Sequence, residues 1–155
     1  MASVDKRLRD GRTSWVARWR DEAGQQRKKS FTKKGDADGF AATVEADKLR
    51  GTYVDPRAGK VTFKEYAEQW RAVQVHRPSS PAHVETMLRR HVYPVLGDLP
   101  LSGIVPSKVQ AWVKGMTLAP STVGVVHGIV AGIFRAAVRD RKIAYEPVRG
   151  DQAPP

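Results

Sequence analysis

The sequence contains no cysteine, and its N-terminus has no long apolar run. Without cysteine the chain can form neither disulfide bonds nor thiolate metal sites. The opening stretch, MASVDKR, lacks the apolar core and cleavage site of a signal peptide. No apolar run elsewhere reaches the roughly 20 residues that a membrane-spanning helix needs. These absences predict a cytoplasmic protein without a membrane partner, and we expect neither a cofactor nor a bound metal.

Acidic residues are also few. The chain carries 27 Lys and Arg against 16 Asp and Glu, a net charge of +11. Such a field attracts phosphate polymers or anionic membranes. The excess is concentrated, because residues 6–34 hold eleven basic and three acidic residues. An ordinary solvated basic surface is the alternative, but the clustering favours nucleic-acid binding.

The chain changes character near residue 55, from short alternating segments to helical periods. Proline and glycine punctuate residues 55–60, which are predicted to be a linker. We expect a β-β-β-α domain over residues 1–54, a helical domain over 61–146 and a tail over 147–155. The predicted fold class is an α+β domain, a three-stranded antiparallel sheet backed by one helix, followed by an all-α four-helix domain.

The first domain is predicted to contain strands over Ser3–Arg9, Thr13–Arg20 and Gln25–Thr32. The sequence Asp10-Gly11 is a strong signal for a hairpin turn between the first two strands. A helix of about a dozen residues should follow and end before the glycine at position 51.

Asp36 is placed to cap this helix, and Phe40, Val44 and Leu49 fall roughly on one stripe that should pack on the sheet. A single helix can cover only one face of the sheet, and the alternation on the second strand assigns Trp15 and Trp19 to that face.

The uncovered face should then be cationic, and a narrow sheet of this kind can enter the major groove. The alternative is that the charges merely prevent edge-to-edge aggregation. Strand three carries three basic residues whose facing the pattern leaves open. The predicted DNA contacts of this domain are Arg7, Ser14, Val16, Arg18, Arg20, Arg27, Lys28 and Lys29.

The second domain is predicted to hold four helices. The first follows a capping box at Thr62–Glu65. The others should span Pro81 to about Val92, Pro106 or Ser107 to Gly115, and Pro120 to about Arg141.

On the last helix, small residues precede basic ones along one face, which suits either a grip on phosphates or a helix–helix contact. That face comprises Gly124, Gly128, Ala131, Arg135, Arg139 and Lys142.

Four motifs in the helical region resemble the core-binding domain of phage-type tyrosine recombinases, the integrases. They are the PVLGDLPL stretch from residue 94, IVPSKVQAW from 104, PSTV from 120 and FRAAVRD from 134. The last is followed by Ile143 and Pro147, with Glu146 where the family usually has Asn. The stretches SWVARW and KSFTKK near the N-terminus resemble the family's arm-binding domain. The composition is similar to that of integrases from actinobacterial phages and plasmids.

The resemblance implies sequence-specific binding to double-stranded DNA. The arm domain would bind arm-type sites and the helical domain the core site, so that one protomer bridges two attachment sites. Other integrase protomers and DNA-bending accessory proteins are the further partners it implies, in the bacterial nucleoid. Contacts carried over by helix position are Arg89, Arg90, Ser121, Thr122, His127, Arg135 and Arg139.

The family's chemistry, attack by a tyrosine on DNA phosphate, belongs to a C-terminal domain that would begin where this chain stops. We therefore expect no catalytic residue in this chain and structural roles for its tyrosines and histidines. A basic RNA-binding or ribosome-associated protein is the alternative, and it requires Trp15 and Trp19 to be exposed for base stacking. A helical adaptor is a further alternative, but it leaves the N-terminal charge unexplained.

Overall fold

The computed structural model describes residues 2–75 and 81–148. By its internal contacts the chain forms two compact units, Met1–Tyr53 and Val54–Pro155. The first unit contains the sheet, and the second contains most of the helices.

The first unit is a three-stranded antiparallel sheet followed by one helix, and the predicted sheet is confirmed. Strands β1 (Ser3–Arg9), β2 (Arg12–Arg20) and β3 (Gln26–Phe31) lie in the order β1-β2-β3. Helix α1 spans Lys34–Arg50.

The turn between β1 and β2 explains why the hairpin forms at this point. Asp10 and Gly11 both have positive φ, 52° and 73°. Two successive residues of this kind make a type I′ turn, whose twist matches that of the flanking strands. Asp is among the few non-glycine residues that adopt this conformation readily.

Helix α1 packs on one face of the sheet through Ala37, Phe40 and Val44. The Phe40 ring lies 5.1 Å from the Trp19 ring, edge to face, and 5.3 Å from the Phe31 ring. Aromatic pairs at these separations add to the stability that comes from burial. The aromatic cluster therefore fixes which face of the sheet α1 covers.

Three predictions about this helix were wrong. Leu49 is 88% exposed, because five residues after Val44 the helix has turned well past the packed stripe. Asp36 lies in the first turn rather than at the N-cap, because the helix already begins at Lys34. The N-cap is Lys33, whose side chain makes no capping hydrogen bond. The helix is accordingly 17 residues long rather than about a dozen.

In the described residues of the second unit, 54–75 and 81–148, there are four α-helices, one π-helix and two short 3₁₀ turns. The 3₁₀ turns span Ala58–Lys60 and Leu101–Gly103. The helices are α2 (Phe63–Val73), α3 (Pro81–Met87), the π-helix Leu88–Gly97, α4 (Pro106–Gly115) and α5 (Pro120–Arg139).

Helix α2 begins at the predicted capping box. The Glu65 backbone N–H donates to Thr62 Oγ1 at 3.2 Å, and the Thr62 N–H donates to Glu65 Oε2 at 3.3 Å. This reciprocal pair satisfies two N–H groups that the start of a helix leaves without partners.

The predicted end of the second helix near Val92 was wrong. Helical backbone continues from α3 through the π-helix to Gly97, with Pro94 inside it. Leu88, Val92 and Leu96 are fully buried at four-residue intervals along this segment. Burial of this stripe explains why the chain stays helical past a proline that lacks an N–H to donate.

The core of the second unit is built around α5. Phe134 on α5 and Phe63 on α2 are both fully buried, with ring centroids 5.3 Å apart. By length and composition α5 is apolar enough to cross a membrane, but half of its most apolar window is buried inside the unit. The central helix of a folded core has the same length and apolar composition, which agrees with the position of α5 in this unit.

The segments predicted as linker and tail both contribute buried residues. Gly59 is buried, and Ser102 Oγ donates a hydrogen bond to its carbonyl oxygen at 3.0 Å. Pro147 and Val148 are also buried. Residues 149–155 of the predicted tail lie outside the described residues.

The close packing of Gly59 gives a stability prediction. In Gly59→Ala the new Cβ would lie 2.7 Å from the Ser102 Cβ and 3.2 Å from the Lys142 carbonyl oxygen. Overpacking of this kind should lower the free energy of unfolding by about 1–3 kcal/mol. Thermal unfolding followed by circular dichroism measures the change.

Gly115→Ala is the matched control, because the described residues leave nothing within 4 Å of its added Cβ. It should alter stability by less than about 0.5 kcal/mol. Equal unfolding temperatures for the two variants would contradict the assignment of Gly59 to the packed core.

Candidate nucleic-acid interface

The sheet has an open face on the side opposite α1. Residues paired directly across antiparallel strands point to the same side, so the register assigns each residue to a face. Among the residues on this face, six are basic and one is acidic. The face comprises Ser3, Asp5, Arg7, Arg9, Arg12, Ser14, Val16, Arg18, Arg20, Gln26, Lys28 and Ser30.

The register also decides the question that the sequence left open on strand three. Lys28 pairs with Arg18 and therefore lies on the open face. Arg27 pairs with Trp19 and Lys29 pairs with Ala17, which places both on the side of α1. Of the three basic residues on β3, only Lys28 thus belongs to the cationic face.

The other two cations are held on the helix side by local contacts. Arg27 Nε donates to Asp21 Oδ2 at 2.9 Å. Although burial opposes the shift, hydrogen bonds from Gln25 and Arg27 hold the pKa of Asp21 below its ordinary value. The Lys29 ammonium lies 5.0 Å from the centre of the Phe40 ring, within range of a cation–π interaction.

The predicted contacts on β1 and β2 differ in accessibility. Arg7 and Arg20 are exposed, and Ser14 is half-buried. Arg20 Nη1 donates to the Gly24 carbonyl oxygen at 3.0 Å. Val16 is only 1% exposed. Val16 therefore forms the floor of this face and is removed from the set of direct DNA contacts.

The tryptophans of the sheet do not form an exposed stacking platform. Trp19 is 3% exposed, and its Nε1–H donates to the Tyr53 hydroxyl at 2.5 Å. Trp15 is half-buried, with the Lys6 and Lys34 ammonium groups 5.9 and 5.6 Å from its ring. The alternative of single-strand or RNA binding required both rings to be exposed, and the burial of Trp19 argues against it.

Helix α5 presents a second basic surface. Ser121, Arg135 and Arg139 are exposed, and Thr122 is half-buried. An added Cβ at Gly124 or Gly128 would meet none of the described residues within 4 Å.

The glycine part of this predicted face is thus open, and no helix–helix contact among the described residues covers it. Ala131 departs from the prediction, since it is 8% exposed and belongs to the core.

The π-helix contributes two more of the predicted cations. Arg89 and Arg90 are both exposed. Arg89 Nε forms an ion pair with Glu85 Oε1 at 3.2 Å, one helical turn away. Arg90 lines a groove of about 420 Å³ together with Lys108 and Trp112. Both arginines are therefore positioned where a phosphate could reach them.

His127 was predicted as a DNA contact, and its burial corrects that prediction. The side chain is 6% exposed, and its Nε2 has no hydrogen-bond partner among the described residues. Burial lowers the pKa of the imidazole. A residue that reads a groove must be exposed, so His127 is a core residue of α5.

The buried imidazole gives a pH prediction. Because its pKa is lower in the folded chain than the unfolded value of 6.5, the unfolded state binds the proton more readily. The contribution of the neutral imidazole to the free energy of unfolding should be fully present above pH 6.5 and should decrease as the pH drops below that value. Unfolding temperatures at pH 7.5 and 5.5 measure the loss.

The His127→Leu variant should lack the part of the acid-induced loss of stability that comes from the imidazole. His83→Leu is the matched control, because it makes the same substitution at an exposed histidine. If His127→Leu kept the full pH dependence of the natural chain, the buried imidazole would not be its source.

The tyrosines of the second unit that contact carboxylates have structural roles. The Tyr66 hydroxyl donates to Asp140 Oδ2 at 2.5 Å, and the Tyr93 hydroxyl donates to Glu68 Oε1 at 2.9 Å. Burial, together with these bonds, raises the pKa of both phenols, which disfavours the phenolate that would act as a nucleophile. Within residues 2–75 and 81–148, no group of three or more candidate side chains could hold a metal ion.

The second unit matches a known protein family. The model of the family described as the phage integrase central domain matches residues 63–150. The integrase of Mycobacterium phage FRAT1 is 29% identical over 99 residues, which cover 63% of this chain and 30% of that integrase. The integrase of Mycobacterium phage L5 is 27% identical over 96 residues. The chain thus spans less than a third of the length of these relatives.

Solved structures agree in fold. A phage integrase SAM-like domain from Moorella thermoacetica is 25% identical and has a TM-score of 0.51 over 62% of this chain and 86% of that domain. A lambda integrase dimer bound to a COC′ core site is 15% identical, with a TM-score of 0.56 over 97% of this chain and 45% of that one. At 15% identity the similarity to lambda integrase concerns the fold alone, but it extends over nearly the whole chain.

Proposed function

The chain belongs to the phage integrase family through its central domain, and we propose that it binds double-stranded DNA sequence-specifically as part of a tyrosine recombinase. In this proposal the sheet binds arm-type sites and the helical unit binds the core site. One protomer would then bridge two attachment sites during DNA integration and recombination.

The observation that carries the proposal is the open face of the sheet. It presents six basic residues, and α1 leaves it uncovered. The major groove of B-DNA admits a β-ribbon, and phosphates on either side attract the cations. Polar side chains in the middle rows of the face would then lie near base edges.

The proposed core-site surface lies on α5 and the π-helix. Exposed arginines at the end of α5 suit phosphate contacts, and the open glycine positions allow the helix backbone to approach the duplex. Ser121 and Thr122 at the start of α5 can donate hydrogen bonds to phosphate or base. The proposed contacts of this surface are Arg89, Arg90, Ser121, Thr122, Arg135 and Arg139.

Strand cleavage is assigned in this proposal to other parts of the recombinase, because Tyr66 and Tyr93 are hydrogen-bonded to carboxylates inside the second unit. The chain supplies binding and orientation. The neighbouring lambda integrase structures are a dimer at a core site and a tetramer at a Holliday junction. Other integrase protomers, and DNA-bending accessory proteins, are the proposed partners of the whole protein in the bacterial nucleoid.

A pair of binding titrations tests the proposal. The whole chain is titrated against a labelled duplex carrying the candidate attachment region found beside its gene, at two salt concentrations. A scrambled duplex and a single strand of the same length serve as competitors. We expect preference for the attachment duplex and a log–log salt slope of roughly −0.9 for each phosphate contacted. Equal binding to all duplexes, or a preference for the single strand, would contradict the proposal.

A further inference from the structure

A single carboxylate lies in the middle row of the cationic open face, on the edge strand β1. Asp5 pairs with Val16, whose other partner is Ser30, so these three residues form the middle row of the sheet. Among the described residues of this face, Asp5 is the one acidic group. Arg18 occupies the next row, diagonal to Asp5, between Ser3 and Lys28.

Asp5 contacts Arg18 directly. Its Oδ2 lies 3.3 Å from Arg18 Nε, close enough for an ion pair, although the two groups are not aligned for a hydrogen bond. The Nε atom is itself buried, while the Arg18 side chain as a whole is 38% exposed. The guanidinium is therefore held against the sheet at one nitrogen while its outer part stays accessible.

A carboxylate in this position weakens the attraction of the face for phosphates, because it adds a like charge beside the DNA backbone. As a stabiliser of the sheet it contributes little, since exposed ion pairs have small net effects. Its remaining consequence is geometric. An arginine reads guanine through two parallel hydrogen bonds, to O6 and N7, and this requires the planar guanidinium to be oriented.

We propose that Asp5 is a positioning residue for Arg18, and that the pair reads one guanine in the major groove. The inference rests on the proposed function of the open face. The carboxylate restricts the guanidinium before DNA binds, so less conformational freedom is lost when the guanine contact forms. Asp5 thus lowers general affinity and raises base preference.

Selection from a randomised duplex library, followed by sequencing, tests this pair. The whole chain is compared with Asp5→Asn, Arg18→Ala and the double variant, and Arg12→Ala is the control because Arg12 lies on the same face two rows from Asp5. Arg18→Ala should lose a guanine preference of about 5- to 100-fold at one position. Asp5→Asn should weaken that same preference by less than Arg18→Ala does, because it leaves the reading arginine in place. Its affinity for scrambled duplex should rise about two- to fivefold.

The double variant should lose no more preference than Arg18→Ala alone, and Arg12→Ala should keep the guanine. Asp5→Asn could instead bind all duplexes more tightly and keep the full preference for guanine. Asp5 would then act only as a charge that repels DNA, and this inference would fail while the proposed function stood. If the natural chain selected no motif, the proposed function would fail and this inference with it. A thermal unfolding curve for Asp5→Asn that matches that of the natural chain verifies that the sheet is intact.

Discussion

Replacing Arg18 and Lys28 together with alanine is expected to weaken binding to the preferred duplex by about ten- to a hundredfold. The two residues are paired on the open face, and both lie beside its centre. If Arg18 reads a base and Lys28 a phosphate, the salt slope should fall by about one rather than two. Titrations of the double variant at several salt concentrations measure both quantities.

The matched control removes the same charge elsewhere in the first unit. Lys33 is the N-cap of α1 and Arg50 is its last residue; both are exposed, and neither belongs to the open face. Their double alanine variant should bind within about twofold to threefold of the natural chain, because distant surface charges act only through a screened field. Equal losses in the two double variants would mean that net charge, and not the open face, governs binding.

Phe134→Ala is expected to have the largest effect on stability. The ring is fully buried on α5 and lies 5.3 Å from Phe63. Removing a buried phenylalanine in such a setting costs about 3–5 kcal/mol, through lost burial and the cavity left behind. Since small domains are stable by only about 5–15 kcal/mol, this is a large share of the total. Denaturant unfolding followed by far-ultraviolet circular dichroism, which reports the helices, measures the change.

Val125→Ala on the same helix is the comparison, because Val125 is 48% exposed. It should change the free energy of unfolding by less than about 0.5 kcal/mol. A loss below about 1 kcal/mol in Phe134→Ala would show that α5 does not organise the core of the second unit.

Much of the sheet could be predicted because its signals are local. The turn at Asp10 and Gly11 fixes the first hairpin, and alternation along β2 correctly assigned Trp19 to the helix side. The facing of Arg18 follows from the same alternation. The capping box of α2 is likewise encoded within four consecutive residues.

What the sequence left undecided or wrong depends on tertiary packing. The face on which Lys28 lies is decided by the pairing register between β3 and β2. The sequence pattern of β3 alone does not specify that register. The π-helix runs past Pro94 because of burial against other helices. His127 belongs to a helix whose wide apolar face reaches it, and no local pattern separates a buried histidine from an exposed one.

The most direct test of the central claim is a hydroxyl-radical footprint of the whole chain on the attachment duplex. Two separate protected regions are expected. Arg18→Ala with Lys28→Ala should remove one of them, and Arg135→Ala with Arg139→Ala should remove the other. A single protected region, or the loss of both regions in either variant, would contradict the account that the sheet and the α5 surface bind separate DNA sites.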